Sequence, residues 1–314
     1  MTDFILGLDG GGTKTLLALA NRHGKVVYQQ QMAGIGPIEN SAWQETLACL
    51  LTAVSKAPGR IVFGVFGLPS YGEMPGIGDA QEEAVARFSF FPYDIVNDVH
   101  AAFDGAFPGN PGTLLLAGTG SMVWAEDETG TTTHVGGWGH GFGDEGSAFW
   151  IGHTAITAFS HCLDGRAEDA VFVEAMAFIL ALPATNRAAA LLEWYYGKTD
   201  ARVKVAALAR AIDSLADAGN ATAKTILQQA AGHLSRHVRA AWRLLPSLPA
   251  RGWSAVGSVM NSRHIIAHLE ENLETSPLPP TLPPVGGALW RAAMNAGWQV
   301  DTAWIETLRA ELCL

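Results

Sequence analysis

Twice along the chain an apolar strand runs into a turn of glycine and hydroxyl residues, and a second apolar strand follows. This repetition constrains the fold more than any other feature. Phe4-Ile5-Leu6-Gly7-Leu8 leads into Asp9-Gly10-Gly11-Gly12-Thr13-Lys14-Thr15, and Leu16 to Ala20 resumes the apolar run. A third strand, Val26-Val27-Tyr28, follows the turn at His23-Gly24-Lys25, so the chain opens as an antiparallel meander. Leu114-Leu115-Leu116-Ala117 then enters Gly118-Thr119-Gly120-Ser121, and strands at Met122-Val123-Trp124 and Thr132 to Val135 come next. The match is one of architecture rather than residue by residue, and it predicts two domains built on one plan.

Length agrees, because 314 residues exceed the usual single compact domain. The break falls at Pro108-Gly109-Asn110-Pro111-Gly112, the strongest turn signal of the first half. The expected domains are therefore residues 1–112 and 113–314, both α/β, with the last helix packing back on the first. Within the first, Ser41 is placed as the cap of a helix carrying Trp43, Leu47, Leu50, Leu51 and Val54. A buried strand over Arg60 to Phe66, a helix near Asp79 to Arg87 and a strand over Tyr93 to Val96 follow. This alternation of strand and helix predicts an α/β sheet. In the second, residues 143–245 read as almost wholly helical, followed by a strand at Trp253 to Gly257, a proline-rich connector over 277–284 and further helices.

Composition excludes several classes. Hydrophobic residues make up 48%, enough for two cores. A net charge of −10 argues against nucleic acid as a partner, since such binding needs a surplus of Lys and Arg. Cys49, Cys162 and Cys313 are scattered and odd in number, without metal-ligand spacing. The N-terminus has no signal-peptide pattern, and no apolar run could span a bilayer. A cytoplasmic protein with no membrane partner is expected.

The turns carry the chemistry. Gly lets backbone approach an anion, and a turn of small residues can aim several N–H groups at one phosphate. Asp9 ends its strand where a carboxylate could hold Mg²⁺, directly or through water. Thr13, Thr15, Thr119 and Ser121 offer hydroxyls. Alone, either turn is as readily a ligand-free hairpin; two of them suit a nucleotide clamped between two domains. Three look-alikes fail. Gly197-Lys198-Thr199 has Leu192 where a Walker loop needs Gly, and in Asp9 to Thr15 Thr13 separates Gly12 from Lys14. Gly141-Phe142-Gly143-Asp144-Glu145-Gly146 follows no clear strand and puts carboxylates where a pyrophosphate needs donors.

Taken together, these residues resemble the BadF-type ATPases of the actin-like sugar-kinase superfamily, and within them the N-acetylglucosamine kinases. Asp9-Gly-Gly-Gly-Thr13 is similar to the first phosphate motif, Ala117-Gly-Thr-Gly-Ser121 to the second, and Val256-Gly-Ser-Val-Met-Asn-Ser262 to the adenosine-side motif. The most specific segment, Gly136-Gly-Trp-Gly-His-Gly-Phe-Gly-Asp-Glu-Gly-Ser-Ala-Phe-Trp150, is similar to the sugar-side signature.

The resemblance implies a two-domain actin-like, ribonuclease H-like α/β fold with a cleft between the domains, frequent homodimers, and MgATP and an amino sugar as ligands. It places phosphate binding at Gly11, Gly12, Thr13, Lys14, Gly118, Thr119 and Gly120, adenosine at Gly257, Ser258 and Asn261, and Mg²⁺ at Asp9, through water. The catalytic base falls on Asp98, which also touches the sugar, beside Gly137, Trp138, Asp144 and Ala148. Read from the residues alone, Asp98 is an acid ending a strand and opening a helix, where an N-cap role is the commoner explanation. Asp144 and Glu145 read equally as favourable charge at a helix start. Gly286-Gly287-Ala288 resembles a turn near the adenine, or simply starts a helix.

The sequence departs from the family pattern in two loops. The loop 34–40 offers no clear counterpart to a sugar-touching Asn, and Glu39 there would favour the ammonium of free glucosamine. Gly67-Leu68-Pro69-Ser70-Tyr71-Gly72 stands where a Ser-Gly turn is usual.

The expected reaction is phosphorylation of the 6-hydroxyl of N-acetylglucosamine, with glucosamine or N-acetylmuramic acid as the alternative acceptor. A reductase-activating ATPase, a sugar-sensing regulator and an actin-like filament protein are the remaining rivals. The pairs His233/His237 and His264/His268, and the stripe Arg236, Arg239 and Arg243, read as helix surface.

Overall fold

The computed structural model describes residues 2–38, 40–54, 59–74, 76–197, 201–248 and 252–312. The chain forms two compact units: Met1–Pro111 with Pro279–Leu314, and Gly112–Leu278.

In the first unit a five-stranded sheet contains β1 (Asp3–Gly10), β2 (Lys14–Asn21), β3 (Val26–Ala33), β4 (Arg60–Leu68) and β5 (Tyr93–Asn97), in the order β3-β2-β1-β4-β5. The first three strands form the antiparallel meander, and β1, β4 and β5 run parallel. Side chains alternate across the pleat, so each central strand feeds two cores. Leu6, Leu8, Leu17, Leu19, Phe66 and Leu68 face α1 (Trp43–Val54) and α2 (Ile77–Phe88). Ile5, Ala18, Ala20, Val65 and Val96 face α3 (Asp98–Ala106) and two helices from the chain's end.

Those late helices are α10 (Pro284–Asn295) and α11 (Thr302–Leu312), separated in sequence from α3 by the whole second unit. The late Gly286-Gly287 pair lies in α10 and not in a ligand-binding turn. A Cβ on Gly287 would stand 2.0 Å from the Ala101 carbonyl oxygen and 2.3 Å from the Gly105 nitrogen of α3. Close helix crossing is the reason for the small residue, so the helix-start reading of these glycines holds and the adenine-turn reading does not. Ser41 likewise does not cap α1. Asn40 shapes that entry, its Oδ1 accepting from the Ala42 N–H at 2.9 Å and its amide donating to the Gly34 carbonyl at 2.6 Å.

The second unit repeats the first four strands of this plan. Its sheet is ordered β8-β7-β6-β9, from β6 (Gly112–Ala117), β7 (Ser121–Glu126), β8 (Thr132–Gly136) and β9 (Trp253–Val256). Again the first three form an antiparallel meander, and the fourth lies parallel to the first. Between β8 and β9 stand α4 (Ala148–Leu163), α5 (Ala170–Ile179), α6 (Arg187–Tyr196), α7 (Ala201–Asp217) and α8 (Ala221–Leu244); α9 (Arg263–Leu273) follows β9. Leu115, Ala117, Val123 and Ala125 join their apolar faces in one core, with Phe159, Phe172 and Trp253 fully enclosed. Among the described residues no helix is long and apolar enough to cross a membrane.

Candidate active site

The parallel register of the first unit brings its chemistry to one edge. Asp9 pairs with Gly67, Gly67 with Val96, and Leu68 with Asn97, so the carboxyl ends of β1, β4 and β5 lie side by side. In parallel α/β sheets this is the edge where ligands bind. Asp98 opens α3 directly after β5. The N-cap, however, is Asn97, whose Oδ1 accepts from the Val99 N–H at 3.0 Å. The Asp98 carboxylate also accepts from that N–H at 3.0 Å, but the cap does not depend on it.

Electrostatics single out Asp98. Loss of water pushes its carboxyl up to about 8, helped by the negative charges of Asp9 and then Glu73, against the N–H donors of Val99 and Asp98 itself. Asp9 is pushed up to about 6 by the same desolvation, opposed by the Lys14 ammonium. A carboxyl poised near neutrality at the end of a strand is the condition that general-base catalysis requires.

The turn after β1 spends its carbonyls on protein. Gly11 O accepts from the Ile35 N–H at 3.0 Å, Thr13 O from the Gly34 N–H at 3.1 Å and Lys14 O from the Gly11 N–H at 3.0 Å. The N–H groups of Gly12 and Thr13 have no partner among the described residues, and the side chains of Thr13 and Lys14 are exposed. Thr15 is fully buried on β2, so its hydroxyl cannot serve a ligand at this turn.

The second unit repeats the device. Gly118 O accepts from the Ala148 N–H at 2.8 Å and Thr119 O from the Phe149 N–H at 3.4 Å, which ties the turn to the start of α4. The N–H groups of Thr119 and Gly120 have no partner among the described residues. Beside this turn lies the end of β9. Gly257 has φ 107°, and a Cβ there would stand 2.3 Å from the Ala117 oxygen. The segment after β9 and the second glycine turn are therefore in contact, with Gly257, Ser258 and Asn261 exposed.

Residues 137–147 connect β8 to α4, and Ser147 caps that helix by accepting from the Trp150 N–H at 3.2 Å. Asp144 lies behind the second turn and is 3% exposed. It accepts from the Ser121 N–H at 3.3 Å and pairs with Arg202 at 3.3 Å. Burial raises its pKa against the opposing pull of Ser121, Arg202 and His140. A Cβ on Gly120 would touch this carboxylate at 2.9 Å, so glycine is what lets Asp144 brace the turn. Gly137 lies at the start of this loop, its N–H bonded to Ser121 O at 3.0 Å. Trp138 and Phe142 stand 68% and 81% exposed, while Ala148 is buried. Glu39 lies outside the described residues.

Several participants were not read from the sequence. Glu73, in the loop after β4, accepts from Asn97 Nδ2 at 2.8 Å; the same amide donates to Tyr71 O at 3.1 Å. His237 is not simple helix surface: its side chain is 14% exposed and faces Glu145 at 3.6 Å. Arg239 is engaged as well, donating to the Asn272 carbonyl. His264 pairs with Asp217 at 2.9 Å and His268 with Glu271 at 3.3 Å.

Two strand-first sheets with matched glycine turns, one unit carrying a strand-end aspartate, define the actin-like ATPase fold. Residues 6–291 match the BadF/BadG/BcrA/BcrD ATPase family, and the chain belongs to that family. It is 26% identical over 253 residues, 77% of this chain and 80% of the relative, to an N-acetylmuramic acid/N-acetylglucosamine kinase of Clostridium acetobutylicum. Among solved structures it resembles a proposed N-acetylglucosamine kinase of Chromobacterium violaceum, with a TM-score of 0.74 and 23% identity, covering 91% of this chain and 97% of that one. A proposed N-acetylglucosamine kinase of Porphyromonas gingivalis gives a TM-score of 0.69 and 20% identity, over 93% and 99% of the two chains.

Proposed function

We propose that the chain is an ATP-dependent amino-sugar kinase that transfers the γ-phosphoryl group to the 6-hydroxyl of N-acetylglucosamine. The observation that carries this reading is Asp98: a carboxyl pushed up to about 8, one strand from Asp9 along a shared edge. Such a group takes the acceptor hydroxyl's proton as the oxygen attacks in line.

The open N–H groups of Gly12, Thr13, Thr119 and Gly120 are suited to phosphate oxygens, with the Lys14 ammonium adding charge. Gly11 and Gly118 shape those turns. Gly257, Ser258 and Asn261 are the exposed surface assigned to adenosine. Trp138 offers an aromatic face to the sugar ring, with Gly137 and Ala148 at the two ends of its loop. Among the described residues Asp144 meets Ser121 and Arg202, and a carboxylate offers about four acceptor sites, which is compatible with a sugar hydroxyl as a further donor.

Among the described residues no group of three acidic, histidine or cysteine side chains forms a metal cage. Asp9 fits Mg²⁺ in the other mode, one carboxylate completing a shell of waters and substrate phosphates. Bound there, Mg²⁺ would neutralise phosphate charge; Asp9 would orient it from the end of β1.

The deciding test is ADP release measured with glucose, glucosamine, N-acetylglucosamine and N-acetylmuramic acid. Highest kcat/KM with N-acetylglucosamine supports the assignment, and absence of sugar-dependent ADP release with all four sinks it.

A further inference from the structure

We infer that Asp213, on α7, is a positioning residue for nucleotide binding: its carboxylate accepts a hydrogen bond from the Ser262 hydroxyl and so fixes the turn at 257–261 that follows β9. The inference rests on the proposed assignment of that turn to adenosine.

The bonds within the turn are local. Ser258–Asn261 form one 3₁₀ turn, in which the Met260 N–H donates to Gly257 O at 3.1 Å and the Ser262 N–H to Val259 O at 3.1 Å. These bonds set its shape and not its place. Three anchors set the place. Gly257 packs against the Ala117 oxygen at one end, Val259 is buried in the core, and Ser262 is 6% exposed at the other end. Ser258 and Asn261 lie exposed between them.

Ser262 has one hydroxyl proton and two tasks. As the N-cap of α9 its Oγ accepts from the Ile265 N–H at 3.3 Å. Its own proton goes to Asp213 Oδ1, on a helix 49 residues earlier in the chain. A hydrogen bond to a charged acceptor is stronger than a neutral one, and it keeps the hydroxyl from rotating away from the cap. Asp213 holds the hydroxyl, the hydroxyl starts α9, and the start of α9 ends the turn. The same helix supports the neighbouring segment. Arg202, near the other end of α7, pairs with Asp144, which braces the second glycine turn through the Ser121 N–H. α7 therefore backs both segments of this unit that the proposed site gives to the nucleotide. Asp217, one helical turn beyond Asp213, meets Arg263 Nε at 2.8 Å and His264 at 2.9 Å. That contact grips α9 past the turn and does not touch Ser262.

The test is binding of a non-hydrolysable ATP analogue with Mg²⁺, measured by calorimetry on the full chain and its variants. Asp213→Ala should weaken binding about five-fold or more, whereas Asp213→Asn, which keeps an oxygen for Ser262, should stay within about two-fold of the parent. Asp217→Ala loosens the same two helices without reaching Ser262 and should also stay within about two-fold. In ADP release with N-acetylglucosamine, Asp213→Ala should raise the KM for ATP, while kcat and the sugar KM at saturating MgATP move less than about two-fold. Adding Asp213→Ala to Ser262→Ala should cause no further loss, because both remove one bond. Equal weakening by Asp217→Ala would show general docking of α7 on α9 and overturn the inference. So would additive losses in the double variant, a loss in Asp213→Asn equal to that in Asp213→Ala, or normal binding by Asp213→Ala. Gly257→Ala separates this inference from the reading beneath it. If Gly257→Ala weakens the analogue and Asp213→Ala does not, only the positioning role fails; if neither does, the adenosine assignment fails with it.

Discussion

Asp98 and Asp9 stand at the carboxyl ends of strands separated by one neighbour, and the charge on Asp9 helps hold the Asp98 carboxyl at about 8. Two like charges meeting at the end of a sheet cannot both be ionised cheaply. The proposed base and the proposed metal-holding residue are therefore coupled before any substrate arrives, and neutralising Asp9 should ease ionisation of Asp98.

The first prediction follows from that role. Asp98→Asn keeps the volume and the Asn97 cap but removes the proton acceptor. Turnover is expected to fall about 10²–10⁴-fold. The sugar KM should change by less than about three-fold, because positioning survives. Steady-state ADP release with N-acetylglucosamine checks both numbers, and near-normal turnover would reject Asp98 as base.

The coupling also predicts a pH profile. Only ionised Asp98 can accept a proton, so kcat/KM for the sugar should rise with pH, pass half its plateau near pH 8 and level off above that. Glu73 is the smaller of the two charges raising that value. Glu73→Gln should shift the limb to lower pH, by up to about one unit. A limb that stays in place would mean that Glu73 does not influence Asp98 in solution.

A linked prediction concerns stability. The folded values of Asp9 and Asp98 lie above the ordinary carboxyl value of 3.8, at about 6 and about 8. The fold prefers their protonated forms, so the stability they confer is complete below about pH 4 and is lost as pH rises through 6 and then 8. Asp98→Asn escapes its share of this loss. Its melting temperature should exceed that of the parent by several degrees at pH 8.5, and the gap should shrink steadily toward pH 4. Thermal melts of the substrate-free protein across that range decide it.

The sheets and the two turns were legible in the sequence because strand periodicity and glycine turns are local signals. Asp98 could be found at a strand end, but its cap could not be assigned: Asn97 and Asp98 are adjacent, and only the structure shows that Asn97 takes the helix. Gly286-Gly287 suggested a ligand turn because close backbone approach to a ligand and to another helix require the same residue. Asp104 and Arg291 lie 187 residues apart, so no local pattern could join them. Glu73 was missed for a related reason, as its partner Asn97 is 24 residues away.

That distant pair yields a further prediction. Arg291 of α10 donates to both carboxylate oxygens of Asp104 on α3, with its Nε at 2.5 Å, and also meets His100 Nε2 at 2.6 Å. Asp104 is 4% exposed. Arg291→Ala would leave its charge without its main partner, a change that typically costs about 3–5 kcal/mol. Replacing both, as Arg291→Met with Asp104→Leu, should recover most of the loss, because burial of apolar groups replaces the ion pair. Denaturant unfolding of the three proteins tests this, and a double variant no more stable than Arg291→Ala would contradict it.

Gly257 offers the sharpest test of the second turn. Its φ of 107° is a conformation that L side chains rarely adopt, and a Cβ would stand 2.3 Å from Ala117 O and 2.9 Å from the Gly118 nitrogen. Gly257→Ala must therefore move β9 away from the end of β6, and with it the second glycine turn whose carbonyls are tied to α4. Backbone strain of this kind costs about 1–3 kcal/mol, so the melting temperature should drop by several degrees. If this segment contacts adenosine and the adjoining turn contacts phosphate, the KM for ATP should rise at least about ten-fold, while the sugar KM at saturating ATP moves little. Ser258→Ala alters an exposed side chain next door without strain and should leave melting unchanged. A Gly257→Ala protein that melts lower but binds ATP normally would place the nucleotide elsewhere.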